Sequence, residues 1–128
     1  MGAEPPATPG PKAVPGLADL TGQVRAFNEA REWGRYHSPR NLAMALSVEA
    51  AELLELYLWS SDAGPQPPVA SRGPKVADEA ADVLICLLNF CDRAGVDLQA
   101  AFDQKLARNA TKYPVERARG RLEKSTEL

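Results

Sequence analysis

The sequence is short of the residues that most metal and redox chemistry draws on. It has one histidine, His37, and two cysteines, so an imidazole- or thiolate-rich metal site is out of reach and any ion must be held mainly by oxygen. Cys86 and Cys91 stand five apart on one expected helix and point roughly 140° apart, a geometry that does not bridge. They read as core thiols of a reducing compartment. Long apolar runs are missing too. The longest, Val83 to Leu88, falls far short of a membrane span, and the N-terminus has neither the cationic start nor the apolar stretch of a signal peptide. A net charge of −2 with no basic arm offers no surface for a nucleic-acid polymer. A cytoplasmic protein with no membrane partner is expected.

What remains is ordinary for a globular chain. Of 128 residues, 45% are apolar and 25% charged, enough for one domain with a modest core. Proline is concentrated in two places. Residues 1–16 hold Pro5, Pro6, Pro9, Pro11 and Pro15 with little hydrophobic periodicity, which predicts a disordered arm. Residues 61–74 hold Pro65, Pro67, Pro68 and Pro74 with Gly64 and Gly73, a flexible loop inside a folded span of 17–113. Residues 114–128 read as a polar tail.

Four helices are expected within the folded span. The first starts near Asp19 as N-cap and reaches about Trp33 or Gly34, with Leu20, Val24, Phe27 and Arg31 on one stripe. The second runs from Pro39 to about Ser60, capped by Ser38. The third runs from about Pro74 to Ala94 and stops at Gly95. Asp97 then caps the fourth, Leu98 to about Thr111, which ends before Pro114.

Helices two and three each carry a carboxylate pair at the same spacing: Glu49 and Glu52 in LAMALSVEAAELLELYLW, Glu79 and Asp82 in VADEAADVLICLLNF. At about 100° per residue, Glu52 falls near −60° from Glu49, beside Leu42, Ala45, Leu46, Leu53 and Leu56. Glu79 and Asp82 fall among Val83, Cys86, Leu87 and Phe90 by the same construction. A lone E-x-x-E is usually a solvated helix face. Two such pairs on apolar stripes need compensation, because desolvating one ionised carboxylate costs several kcal/mol. The bases in these stripes, Arg40, Arg72, Lys75 and Arg93, lie toward the helix ends and could satisfy few of the acids. All-oxygen donors suit Mg²⁺, with Mn²⁺ as a substitute, and two facing helices could gather four of them around one small cavity.

The faces opposite the acids are apolar as well, with Met44, Ala51, Leu54 and Leu58 on helix two and Ala81, Leu84, Ile85 and Leu88 on helix three. One copy is too small to cover both sides, so the expectation is an all-α bundle completed by a second copy. Helix four starts apolar, with Leu98, Ala101 and Phe102, and continues on the same stripe with Lys105, Arg108, Asn109 and Lys112. That basic end could neutralise the acids or bind an anion that the metal also binds. A solvated turn that complements the helix dipole is the plainer alternative.

With E-x-x-E, a gap, E-x-x-D and then Lys105-Leu-Ala-Arg-Asn109-Ala-Thr-Lys112-Tyr113-Pro114 in view, the chain resembles the MazG-like all-α nucleoside triphosphate pyrophosphohydrolases. Trp33, the segment His37-Ser-Pro-Arg-Asn-Leu42 and Trp59 make it most similar to the dCTP-hydrolysing branch. Mammalian members of that branch carry His where this chain has Val24 and Tyr where it has Cys86. The resemblance implies a four-helix bundle completed by dimerisation, in a homotetramer built from dimers. It also implies Mg²⁺-dependent cleavage of a (deoxy)nucleoside triphosphate between the α and β phosphates, giving the monophosphate and pyrophosphate. Carried over, Glu49, Glu52, Glu79 and Asp82 would be metal ligands, with Glu52 or Glu55 orienting the attacking water. Lys105, Asn109, Lys112 and Tyr113 would hold phosphate or sugar oxygens, and Trp33, His37 and Trp59 would shape the base pocket. The rival expectations are a hydrolase of other base selectivity, acting on dUTP, a broad range of NTPs or phosphoribosyl-ATP, and a non-catalytic helical assembly module.

Overall fold

Leu17–Ala30 (α1), Pro39–Glu55 (α2), Val69–Ala94 (α3), Leu98–Lys112 (α4) and the short Val115–Ala118 (α5) follow one another, with single 3₁₀ turns at Trp33–Tyr36 and Ser125–Glu127. The computed structural model describes residues 16–58 and 69–127, for 69–72 the backbone alone, and these residues contain no strand. The expected arm (1–16) lies outside them except for Gly16, as do Trp59 and most of the expected loop. None of the described helices is long and apolar enough to cross a membrane.

The caps account for most of the boundaries. Ser38 accepts the Asn41 N–H through its hydroxyl at 3.2 Å, with Pro39 at the first helical position, where no donor is needed. Asp97 accepts the Ala100 N–H at 3.0 Å. Gly95 takes a left-handed φ of 68° and lets the Val96 N–H reach back to the Cys91 carbonyl at 2.8 Å, closing α3 in a Schellman turn. Other boundaries differ from the sequence-based expectation. Asp19 is the third residue of α1 and its carboxylate accepts the Gly16 N–H at 3.1 Å, so Gly16 holds the cap position. At its other end α1 stops at Ala30, and Glu32 turns the chain at φ 54°, so Trp33 and Gly34 belong to a separate turn. After Glu55 the backbone bonds of α2 shorten to i−3 spacing, Tyr57 to Leu54 and Leu58 to Glu55. Helix α3 begins at Val69, so Pro74 lies inside it, although its ring nitrogen cannot donate to the preceding turn. The expected 61–74 loop is therefore shorter at its far end. A short helix, α5, also interrupts the expected polar tail.

Helices α2 and α3 form the main pair, and α1 lies across α3. They run antiparallel, since the end of α2 near Glu49 meets Glu79 and Asp82 while its start near His37 meets Asn89 and Arg93. Leu42, Leu88 and Cys91 are the buried hydrophobic residues among those described. Arg25 ties α1 to α3 through two bonds to the Asp92 carboxylate, at 3.0 and 2.6 Å. Helix α4 has no extensive packing on the other described helices, and its apolar stripe, Leu98, Ala101, Phe102 and Leu106, lines an open groove with Lys105 and Asn109. Met44 and Leu54 on α2, Leu58 just beyond it, and Leu84 and Ile85 on α3 stay exposed, whereas Leu88 on the same second face of α3 is buried and α1 packs along that face, so among the described residues the second apolar face of α3 is partly covered.

Candidate active site

Helical phase places the acidic pairs on the facing sides of α2 and α3, and packing brings them together. Glu49, Glu79 and Asp82 each offer a carboxylate oxygen, and these oxygens all lie within 4.8 Å of one another. Oε2 of Glu49 and Oε2 of Glu79 are sealed from solvent and accept no hydrogen bond. Glu52, one turn from Glu49 on α2, lies near enough to raise the proton affinity of both glutamates. A hydrogen bond between two carboxyl groups needs a proton on one of them. Accordingly Glu49 is held above the usual carboxylate range, first by its bond to Glu52, then by burial and by the charges of Glu52, Asp82 and Glu79. Burial is the leading cause for Glu79, followed by the charge of Glu52 and a bond to it, then Asp82 and Asp78. Either protons or a cation can relieve such crowding. An all-oxygen donor set with two sealed, unpartnered oxygens fits a hard divalent ion.

The remaining expected site residues are distributed unevenly. Glu55 closes α2 and is exposed. Trp33 and His37 flank the turn before α2, at the end of the α2/α3 pair away from the acids, while Trp59 lies outside the described residues. Trp33 packs edge-on to Phe27 at 5.7 Å, and the Arg31 guanidinium lies over the Phe27 ring at 3.6 Å and 5.9 Å from the Trp33 ring. Lys105 and Asn109 sit on the α4 groove, whose lining includes no residue of α2 or α3. Lys112 ends the same helix and Tyr113 follows as its cap. One chain thus assembles the acids but does not bring the α4 cations to them.

A profile of the MazG-like family matches residues 44–128, which includes both acidic pairs and all of α4. The chain belongs to the MazG-like family. Its relatives include the dCTP pyrophosphatase 1 of Rattus norvegicus, 39% identical over 132 residues that span 99% of this chain and 78% of the relative. The Homo sapiens protein of the same name is 38% identical with the same coverage. The crystal structure of a pyrophosphatase from Archaeoglobus fulgidus superposes with a TM-score of 0.67 at 36% identity, covering 77% of this chain and 92% of the other. The all-helical fold that the resemblance implies is thus what the described residues adopt.

Sequence reasoning leaves Asn89 out of this MazG-like site and reads Cys86 and Arg93 only as a core thiol and as a base toward the helix end. Cys86 follows Asp82 by about one turn of α3, and its thiol is pushed up by burial and then by the charges of Glu49 and Asp82. Arg93 donates to the carbonyls of Gly34 and His37, at 3.1 and 3.0 Å. Asn89, buried, meets the His37 ring. A usable signal was present: all three continue the α3 stripe that starts at Glu79, at intervals of three and four.

Proposed function

We propose that this chain is a Mg²⁺-dependent pyrophosphohydrolase that converts dCTP, or a related or base-modified nucleoside triphosphate, to the monophosphate and pyrophosphate, a nucleotide-pool house-cleaning activity. The observation that carries the reading is the convergence of Glu49, Glu79 and Asp82, with sealed oxygens that find no donor among the described residues. The dCTP pyrophosphatases among its relatives, similar over nearly its whole length, support the choice of substrate.

In this account Glu49, Glu52, Glu79 and Asp82 hold the ion. A divalent cation there supplies charge neutralisation for a triphosphate and polarises the α-phosphoryl group. Glu52, or Glu55 at the helix end, orients the water that attacks α-phosphorus in line with the leaving pyrophosphate. Lys105, Asn109, Lys112 and Tyr113 hold phosphate and sugar oxygens, and Trp33, His37 and Trp59 enclose the base. Because α4 stands away from the acids of its own chain, the reading includes a homo-oligomer, a tetramer of paired dimers, in which the uncovered faces of α2 and α3 are buried and a neighbouring copy completes the site. A cytoplasmic location completes it.

A panel of dCTP, dUTP, ribonucleoside triphosphates and phosphoribosyl-ATP, with the products identified, tests this reading. Monophosphate plus pyrophosphate, fastest from a cytosine nucleotide, is expected. No turnover of any of them would favour a non-catalytic helical module.

A further inference from the structure

Asn89 is the buried polar side chain among the described residues, 8% exposed, and it lies outside the acidic cluster. Its Nδ2 is 3.1 Å from Nδ1 of His37. An amide nitrogen has only protons to give, so the ring nitrogen that meets it is the bare one and the neutral imidazole carries its proton on Nε2. The two nitrogens of the ring diverge, which turns Nε2–H away from α3.

The backbone around His37 is held as firmly as its ring. Arg93 donates to the Gly34 and His37 carbonyls, and the Asn41 amide donates to that of Tyr36 at 3.0 Å. Trp33 is braced by the Phe27 ring. Glu32, just before this segment, keeps a left-handed φ of 54°, a conformation a non-glycine residue retains only where its surroundings over-determine it. On α3, Glu79, Asp82, Cys86, Asn89 and Arg93 fall within about 80° of one another. The same stripe thus bears the acids at one end and the holder of His37 at the other, with Asp82 and Asn89 separated by about 10 Å along the axis.

We propose that Asn89 is a positioning residue for base recognition, fixing His37 as the Nε2–H tautomer so that segment 33–37 offers a hydrogen-bond donor to an acceptor atom on the nucleobase edge. The inference rests on the nucleotide reading above. It makes selectivity a matter of polarity: a base with an acceptor facing His37 is favoured, and one with a donor there is refused.

The test compares the full-length protein with Asn89→Leu and Asn89→Asp, the first removing the donor and the second replacing it with an acceptor. His37 is the single histidine, so ¹⁵N spectra of the imidazole report its tautomer without assignment work. At about pH 9, well above the ~6.5 of an ordinary imidazole, the wild type should show a bare Nδ1 and a protonated Nε2. Asn89→Asp should show the reverse. With Mg²⁺ and dCTP, Asn89→Leu is expected to raise KM about tenfold, the size of one hydrogen bond, with kcat nearly unchanged. Asn89→Asp should also reorder the nucleotide panel toward bases that present a donor. A protonated Nδ1 in the wild type overturns the proposal, and so does an Asn89→Asp protein with swapped tautomer but unchanged KM and base ranking. A wild type that shows the bare Nδ1 yet hydrolyses no nucleoside triphosphate would instead overturn the nucleotide reading, and the recognition role with it.

Discussion

Glu49 on α2 and Glu79 on α3 each place a carboxylate oxygen within 4.8 Å of the other, and each keeps its Oε2 sealed from solvent and without a donor. Two like charges so close, so poorly satisfied, make sense where a third party of opposite sign joins them. Replacing either glutamate by glutamine removes a charge while keeping the shape. Glu49→Gln and Glu79→Gln should retain helix content and assembly but lose Mg²⁺-supported dCTP turnover by more than the 10–100-fold that even an outer-shell partner of a metal costs. Circular dichroism and steady-state kinetics on the same preparations check both halves. Full activity in Glu52→Gln would remove Glu52 from the mechanism.

The raised positions of Glu49 and Glu79 make the stability of the metal-free protein depend on pH in an unusual direction. A carboxyl that takes up its proton more readily when folded stabilises the fold below its unfolded value of 4.5 and loses that contribution as pH rises through the raised folded value. In the presence of a chelator, Tm should therefore increase as pH is lowered from 8 toward about 5. Mg²⁺ should raise Tm most at pH 8 and progressively less as pH falls, because protons compete for the same oxygens. Asp92 acts oppositely, because its bond to Arg25 holds it below the usual range, and that contribution is lost only on acidification through values below 3.8. Thermal melts at several pH values, with and without Mg²⁺, separate the two.

Core and cap contributions follow from burial and geometry. Leu88 is 2% exposed, so Leu88→Ala should cost about 2–5 kcal/mol. Ser38→Ala removes the acceptor of the Asn41 N–H and should cost about 1 kcal/mol, without altering the acids. Chemical denaturation of both variants checks the ranking.

Helix α4 supplies the test of a shared site. Lys105→Ala and Asn109→Ala should each raise KM for dCTP while leaving Mg²⁺ affinity in place. If a neighbouring copy provides α4, Lys105→Ala and Glu79→Gln denatured and refolded together should turn over low dCTP faster than the sum of the two variants refolded separately. No recovery in the mixed oligomer would place the α4 residues and the acids of one site in the same chain.

Much of this was legible in the chain itself. Ser38-Pro39, Gly95 and Asp97 announce their caps because each acts through its own backbone neighbours, and the acidic pairs declare themselves by helical phase alone. Sequence reading fell short where the determinant was not local. Trp33 and Gly34 looked like the end of α1, yet they form a separate turn whose carbonyls are claimed by Arg93 from another helix. Pro74 looked like a helix start because propensity disfavours it inside one, and α3 nonetheless begins at Val69. The stand-off of α4 from the acids was likewise invisible, since amphipathic pattern says that a face must be covered but not by which copy.

The most direct measurement is turnover of dCTP in ¹⁸O-labelled water, with Mg²⁺ and with chelator, followed by mass analysis of the products. The account predicts dCMP carrying the label, unlabelled pyrophosphate in equal amount, and loss of both with chelator. Label in orthophosphate alongside dCDP, or turnover indifferent to divalent ions, would contradict it.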